Sequence, residues 1–259
     1  MNAPTIGAAC EAMAKPEVNY HFLDVGKPYA HHTGRRSEFI GLYARHLAAE
    51  PGLCGRTLDV GCGHGENRAL ERIIDKIGLM DGVDPYPVVT PPAHLVHRWT
   101  CSLEDIPVGA DTYDLAYSYN VVEHVENVES FLAKVIEIIK PGAVYWSMSP
   151  NARHPFTWAT RIAQWLGLKK AYVKTVNPRA NDYPAYYRVS DDRAVLRAVK
   201  KLRLPVSHID FYYAPNVQWD TYLPARLRFI ARSIDRAFVL PSPKRSFILM
   251  FRLRKSADR

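Results

Sequence analysis

The sequence predicts an α/β protein built on a parallel sheet wrapped by helices, and three observations predict it. From residue 56 onward short apolar runs alternate with segments of helical period, the alternation that produces such sheets. One of those runs leads directly into a glycine-rich turn and a further helical pattern, LDVGCGHGEN at 58–67. With 259 residues, 47% hydrophobic and 23% charged, the chain has the length and balance of a soluble globular enzyme with a substantial core. One domain with a decorated lid fits better than two: a tail at 1–34, then a domain over 35–259 with lid insertions at about 152–189 and 214–245.

Each element follows from pattern. RTLDV (56–60) reads as the first strand of this series. ENRALERIIDKIG sets Leu70, Ile73, Ile74 and Ile77 at i, i+3, i+4 and i+7, one face of a helix stopped by Gly78. LMDGVD, LVHRWTC and YDLAYSY supply the second, third and fourth strands. VESFLAKVIEIIKPG is an amphipathic helix with Val128, Phe131, Leu132 and Val135 inward and Pro141 and Gly142 as terminator, and AVYWSMS is a fifth strand. The period then breaks over 152–189, which is rich in Trp, Tyr, Pro and basic residues. It returns with SDDRAVLRAVKKL, a helix capped by Ser190, and with VSHIDFYY and RSFILMFRLR as late strands. Between those strands, PARLRFIARSIDRAFVL has Pro224 in its first turn, Leu227, Ile230, Ile234 and Phe238 on one face, and Arg228, Arg232 and Arg236 on another.

Composition narrows the classes. No stretch reaches the roughly 18 apolar residues of a membrane span. The first twenty residues carry neither a charged leader nor a long apolar run, so a partly disordered, cytoplasmic tail is expected. Cys10, Cys54, Cys62 and Cys101 form no C-x-x-C pair, which points to reduced thiols. The net charge of +8 is unevenly placed: residues 151–259 hold 22 Lys and Arg against 7 Asp, or +15, and residues 1–150 hold 12 against 19, or −7. The C-terminal part is therefore suited to an anionic partner, whether a phosphorylated substrate, an acidic lipid surface or nucleic acid.

The glycine loop is the most informative stretch. Gly61, Gly63 and Gly65 allow a tight turn and close approach of a ligand to the main chain. Glu66 stands where a dinucleotide fingerprint needs its third glycine, and no Gly-Lys-Ser/Thr follows to make a P-loop. Asp59 and Glu66 flank the turn and would repel a pyrophosphate. A ligand with an ammonium and a sulfonium fits, and S-adenosylmethionine carries both. Asp84, 21 residues beyond Gly63 at the end of the second strand, is placed to accept from ribose hydroxyls.

LDVGCGHGEN, VDPYP, SLEDIP and YDLAYSYNVVEHVENVESFLAKVIEIIKPGA together resemble the successive motifs of class I S-adenosylmethionine-dependent methyltransferases, above all the group that includes the ubiquinone and menaquinone biosynthesis methyltransferases. The resemblance covers 56–151 well and the last two strands loosely. It implies a Rossmann-like seven-stranded sheet of order 3-2-1-4-5-7-6 with the last strand antiparallel. It also implies cofactor contacts from Asp59, Gly61, Gly63 and Gly65 around the methionine part, Asp84 on the ribose, Ser102 and Leu103 near the adenine, and Asn120 beside the methionine end. The 1–34 segment would cover the cofactor. Many relatives have Asp where Ser102 stands, so an acid contact to the adenine amino group is absent at that position. DPYP at 84–87 resembles the signature of enzymes that methylate base amino groups, but it ends the second strand rather than the fourth.

Methyl transfer from a sulfonium is an in-line displacement, and an oxygen acceptor also needs its proton removed. Candidates at the carboxyl ends of the strands are His124, Asn151 and His154, with Tyr186 and Tyr187 in the insertion; His124 and His154 are the candidate catalytic residues, and His31 and His32 lie in the covering segment. Glu123 and His124 read as a general base, as two ligands of a metal, or as a helix start in which Glu123 accepts from backbone N–H groups. Ubiquinone-type members carry Glu-x-x-Glu-His here; this sequence keeps the last two residues and has Asn120 for the first, so no metal site is assigned. A small-molecule or lipid-linked acceptor is preferred, with peripheral contact to an anionic membrane surface as an option for the Arg-faced helix. RNA is the alternative, disfavoured because no RNA-binding module is recognisable.

Overall fold

The computed structural model describes residues 15–23, 37–63, 73–88, 90–167, 184–214 and 225–257, the side chains of 37–40 and 225 excepted. The strands are β1 (Glu17–Phe22), β2 (Arg56–Val60), β3 (Leu79–Val83), β4 (His97–Trp99), β5 (Tyr113–Tyr119), β6 (Ile139–Pro150), β7 (Val206–Ala214) and β8 (Ile248–Lys255). The helices are α1 (Ser37–Ala48), α2 (Val128–Ile138), α3 (Pro155–Trp165), α4 (Asp192–Leu202) and α5 (Ala225–Val239).

All eight strands form one sheet of order β1-β7-β8-β6-β5-β2-β3-β4, parallel except for β8, which runs antiparallel to β6 and β7. Counted from RTLDV as the first strand, this is the expected 3-2-1-4-5-7-6 order with one strand added at the edge. The addition corrects the count of seven. It comes from EVNYHF, inside the segment read as a tail, which pairs in parallel with β7. The alternation was visible in Val18, Tyr20 and Phe22. The partner was not: Tyr20 stacks on Phe211 at 5.5 Å, His21 on Tyr212 at 4.3 Å and Phe22 on Tyr213 at 5.6 Å, cross-strand contacts that stabilise a short edge strand.

The central strands are buried on both faces, so each face has its own core. On one, Phe131, Leu132 and Val135 of α2 and Val195 and Val199 of α4 cover Leu58, Val60, Tyr145 and Phe251. On the other, Tyr43 and Leu47 of α1 cover Tyr117, Trp146 and Met250. The Tyr43 hydroxyl donates to the carbonyls of Ser118 (2.9 Å) and Trp146 (3.1 Å), which seats α1 across β5 and β6.

Several boundaries differ from expectation. Of the helix read over 66–78, residues 64–72, with Leu70, lie outside the described residues, and Ile74–Lys76 is a single 3₁₀ turn. Gly78 answers to close packing, since a Cβ there would lie 2.2 Å from the Cys54 carbonyl oxygen. The α2 helix stops at Ile138, and Pro141 and Gly142 (φ +79°) belong to the irregular start of β6, where the register with β5 shifts. Asp191, not Ser190, caps α4: its carboxylate accepts from the Arg193 N–H at 3.1 Å, while Ser190 is buried and receives the Ser149 hydroxyl. Pro224 lies outside the described residues. In α5 the inward face is Ala231, Asp235 and Val239, whereas Leu227, Ile230 and Ile234 are exposed. No described helix is long and apolar enough to cross a membrane.

Candidate cofactor and acceptor site

The carboxyl ends of β2, β3 and β5 converge at the turn that follows β2. Gly61 sits at φ +77° and Gly63 at φ +50°, conformations that glycine adopts without strain. A Cβ on Gly61 would lie 2.2 Å from Val121 Cγ2, so the turn passes tightly under the β5 loop. A Cβ on Gly63 would meet nothing within 4 Å among the described residues. The N–H groups of Gly61 (2.7 Å) and Cys62 (3.3 Å) donate to the Val83 carbonyl and tie the turn to β3. Gly65 and Glu66 lie outside the described residues, as do His31 and His32.

Asp84 completes that tie. Its Oδ2 accepts from the Gly63 N–H and its Oδ1 from the Tyr86 N–H, both at 2.9 Å. Each carboxylate oxygen retains a lone pair, so two further donors, such as vicinal hydroxyls, can be accepted on a carboxylate already held in place.

Asp59 is 1% exposed, and neither of its oxygens has a hydrogen-bond partner among the described residues. It pairs across the sheet with Tyr117 and Gly82. Burial pushes its carboxyl up to about 7, and the Asp84 charge adds to the rise. The Tyr117 hydroxyl beside it acts in the opposite direction, although its own hydrogen bond goes to Met80 Sδ at 3.4 Å. A buried carboxylate without a geometric hydrogen-bond partner among the described residues, beside a glycine turn, suits an ammonium-bearing ligand. The residues therefore fit S-adenosylmethionine on chemistry of their own.

Ser102 opens a 3₁₀ turn (Leu103–Asp105), with Leu103 buried in the core. The Ser102 hydroxyl donates to Asp105 Oδ2 at 2.5 Å, so this turn does present an acid, three residues after the position where many relatives have one. SLEDIP contains Asp105, but only the turn brings it back to Ser102.

Asn120 ends β5 at φ +54°, a left-handed conformation that Asn tolerates better than most residues, and its N–H donates to the Met148 carbonyl at 2.8 Å. The next turn (Val122–His124) is a separate 3₁₀ element. This corrects the reading of Glu123 as the start of the following helix: Asn127 caps α2, accepting from Glu129 and Ser130 N–H at 3.1 Å each. Glu123 is instead 5% exposed with Oε2 unpartnered among the described residues, and burial pushes its carboxyl up to about 8. Its carbonyl accepts from the N–H groups of Tyr186 (2.7 Å) and Tyr187 (2.9 Å), which hooks the insertion onto the β5 loop. His124, half-buried, places Nδ1 2.7 Å from the Pro184 carbonyl. A carbonyl only accepts, so Nδ1 carries the proton and the neutral ring is basic at Nε2. Among the described residues no group of three or more His, Cys, Asp or Glu is placed to hold a metal ion.

The other candidates are engaged in contacts within the fold. His154 is fully buried, with Nδ1 accepting from the Phe156 N–H (3.1 Å) and Nε2 donating to Asp235 of α5 in a short contact. Burial lowers its pKa to about 3, so it offers an acceptor neither a free nitrogen nor a proton affinity near neutrality. Asn151 is likewise committed, donating to the carbonyls of Lys244 (2.9 Å) and Ser246 (2.8 Å). The Tyr187 hydroxyl meets Thr160 Oγ1 at 3.2 Å. Nothing in the local sequence marks Asp235 as a partner 81 residues from His154.

The comparisons with known proteins agree with this geometry. The family described as a methyltransferase domain matches residues 29–180. The mitochondrial ubiquinone biosynthesis O-methyltransferase of Homo sapiens is 31% identical over 120 residues, 41% of this chain and 32% of that protein, so the match spans about a third of the relative's length. A geranyl diphosphate methyltransferase solved in complex with GPP and sinefungin superposes with a TM-score of 0.51 at 15% identity, covering 85% of this chain and 76% of the other. A SAM dependent methyltransferase from Archaeoglobus fulgidus gives 0.50 at 15%, covering 83% and 93%. At such identities the two structures speak for the fold alone. Family match, sheet order and glycine turn converge: this chain belongs to the methyltransferase domain family and has its class I fold.

Proposed function

We propose that this chain methylates an oxygen of a small-molecule or lipid-linked acceptor in a pocket roofed by the 152–189 and 214–245 segments. S-adenosylmethionine, when bound, supplies a methyl group activated by a positive sulfur; the tasks left to the protein are alignment and proton removal. Asp59, Gly61, Gly63 and Gly65 surround the methionine part, with Asp59 offering its orphaned carboxylate to the ammonium. Asp84 accepts from the ribose hydroxyls, Ser102 and Leu103 border the adenine, and Asn120 stands beside the methionine end. His124 takes the acceptor proton at Nε2.

The observation that carries this reading is the Nδ1 contact of His124 with the Pro184 carbonyl, which orients the ring and directs its basicity to the other nitrogen, four residues after Asn120. His124→Ala is expected to leave S-adenosylmethionine affinity within about twofold while turnover falls about 10²- to 10⁴-fold, the usual weight of a general base. If the substitution only lowers the melting temperature, the residue is structural and the oxygen assignment loses its support. The +15 charge of residues 151–259 favours RNA as a second reading, checked by whether RNA binding falls steeply with salt.

A further inference from the structure

A cavity of about 950 Å³ lies between α2, α3, α4 and residues 186–188, and none of the residues assigned to the cofactor lines it. Six cations do: Arg153, Arg161, Arg188, Arg197, Lys200 and Lys201, against the carboxylates of Glu129 and Asp191, a surplus of four positive charges. Arg153 is held by Asp191 (2.6 Å) and by Asp192, and Lys201 pairs with Glu129 at 2.8 Å. Arg188 donates to the Glu126 carbonyl and lies over the Tyr186 ring at 5.6 Å. Arg161, Arg197 and Lys200 pair with no carboxylate among the described residues.

An ordinary solvated face carries its charges along one element. Here they converge on one concavity from α3, from α4 and from the segment that Glu123 holds in place. Arg197, Lys200 and Lys201 sit three and four residues apart on α4, a spacing that brings like charges together at a cost unless an anion offsets them. The wall is also partly apolar: Trp158, half exposed and oriented by its Nε1–H bond to the Ala152 carbonyl at 3.0 Å, faces the same space as Tyr186 and Tyr187. A phosphoryl group carries about −1.5 to −2 charges. Two of them match the surplus of four, and guanidinium forks suit their oxygens.

We propose that this cavity binds a ligand bearing a diphosphate or two neighbouring phosphates, with its organic part against the aromatic wall. As the anchor of the methyl acceptor, it rests on the small-molecule reading above; anion binding itself does not. The β5 loop joins the two functions, because Glu123 accepts from the N–H groups of Tyr186 and Tyr187, which line the cavity, and His124 meets Pro184 just before them.

The test is calorimetric titration of the full chain with inorganic pyrophosphate at low salt, without cofactor. Arg161→Ala/Arg197→Ala is expected to weaken binding at least about tenfold, whereas Arg226→Ala/Arg236→Ala, which removes the same charge from the exposed face of α5, changes it by less than about twofold. Arg161→Lys/Arg197→Lys, which keeps the charge and loses the forks, should fall between them and guards against misfolding of the alanine pair. Co-sedimentation with phosphatidic acid vesicles identifies the source: loss in the cavity variant alone marks a lipid headgroup, and indifference marks a soluble phosphorylated compound. Three results overturn the proposal: no pyrophosphate binding at millimolar concentration, equal weakening in both alanine pairs, or capture of oligouridylate without capture of pyrophosphate. S-adenosylmethionine titrated on the same preparations tests the cofactor reading separately.

Discussion

At the ends of β2 and β3, the ligand-side groups are backbone amides and short acids held by near neighbours, as Gly63 is held by Asp84 only 21 residues away. At the ends of β5 and β6 they are side chains fixed by partners 60 to 95 residues distant: His124 by Pro184, His154 by Asp235, Asn151 by Ser246. The charge follows the same division, −7 over residues 1–150 and +15 over 151–259. On the function proposed above, the first arrangement is a generic holder for an amino-acid and nucleoside ligand. The second is, on the same proposal, a roof assembled by tertiary contacts, where specificity for an acceptor is free to vary without disturbing the holder.

The comparison assigns the largest effect on stability to the roof. His154→Ala takes the Nε2–H donor away from buried Asp235, which costs about 1 to 3 kcal/mol, and the unfilled ring volume adds to the loss. Urea unfolding should register that loss, while S-adenosylmethionine affinity measured well below the transition stays within about twofold. A collapse of turnover with stability intact would mean that His154 performs chemistry, and the division would fail.

Glu123 lies where the two regions join, and its effect depends on pH. Its folded pKa of about 8 lies above the ordinary 4.5, so the native state retains a proton that the unfolded state releases. The stability linked to this group is complete below about 4.5 and is lost as pH rises through 8. Glu123→Gln, neutral throughout, should therefore gain on the parent chain by at most about 1.4 kcal/mol per pH unit over that window and then level off. Unfolding curves at pH 5, 6.5 and 8.5 measure the gain; a difference that ignores pH would mean the carboxylate is ionised and paired in the fold.

At the holder, Asp84→Ala removes the clamp on Gly63 and, on the proposed cofactor reading, an acceptor for the ribose. A hydrogen bond to a charged group is worth about 2 kcal/mol, so Kd for S-adenosylmethionine should rise roughly thirtyfold in calorimetry. Asp84→Asn keeps one acceptor oxygen and should lose less. Equal losses would assign the effect to charge rather than to the hydrogen bonds.

How much of this was legible follows from the range of the contacts. The strand series, the glycine turn and Asp84 rest on periodicity and on spacings of a few tens of residues, and pattern reading reached them; the sheet order came from the family resemblance. The cap Asp191 stands one residue beyond the Ser190 that local pattern chose, because Asp and Ser both suit the task and only backbone geometry selects between them. EVNYHF alternated as a strand should, but its stabilisation comes from aromatic partners on β7, nearly two hundred residues on. The inward face of α5 was hidden for a similar reason: a buried Asp235 is paired by a distant histidine, while larger apolar residues stay in solvent.

The smallest effect is at Asn120, and it separates a backbone task from a side-chain one. At φ +54° an alanine is strained by about 1 kcal/mol, whereas glycine is not. Asn120→Ala should lower stability by about that amount and Asn120→Gly by less than about 0.5 kcal/mol, in paired unfolding measurements. Both remove the amide. If Asn120 serves the cofactor through its side chain, the two variants lose the same affinity despite their unequal stabilities; if it serves only by turning the chain out of β5, the glycine variant binds like the parent and the alanine variant does not. Only the first outcome adds a side chain to a holder otherwise made of backbone and acids.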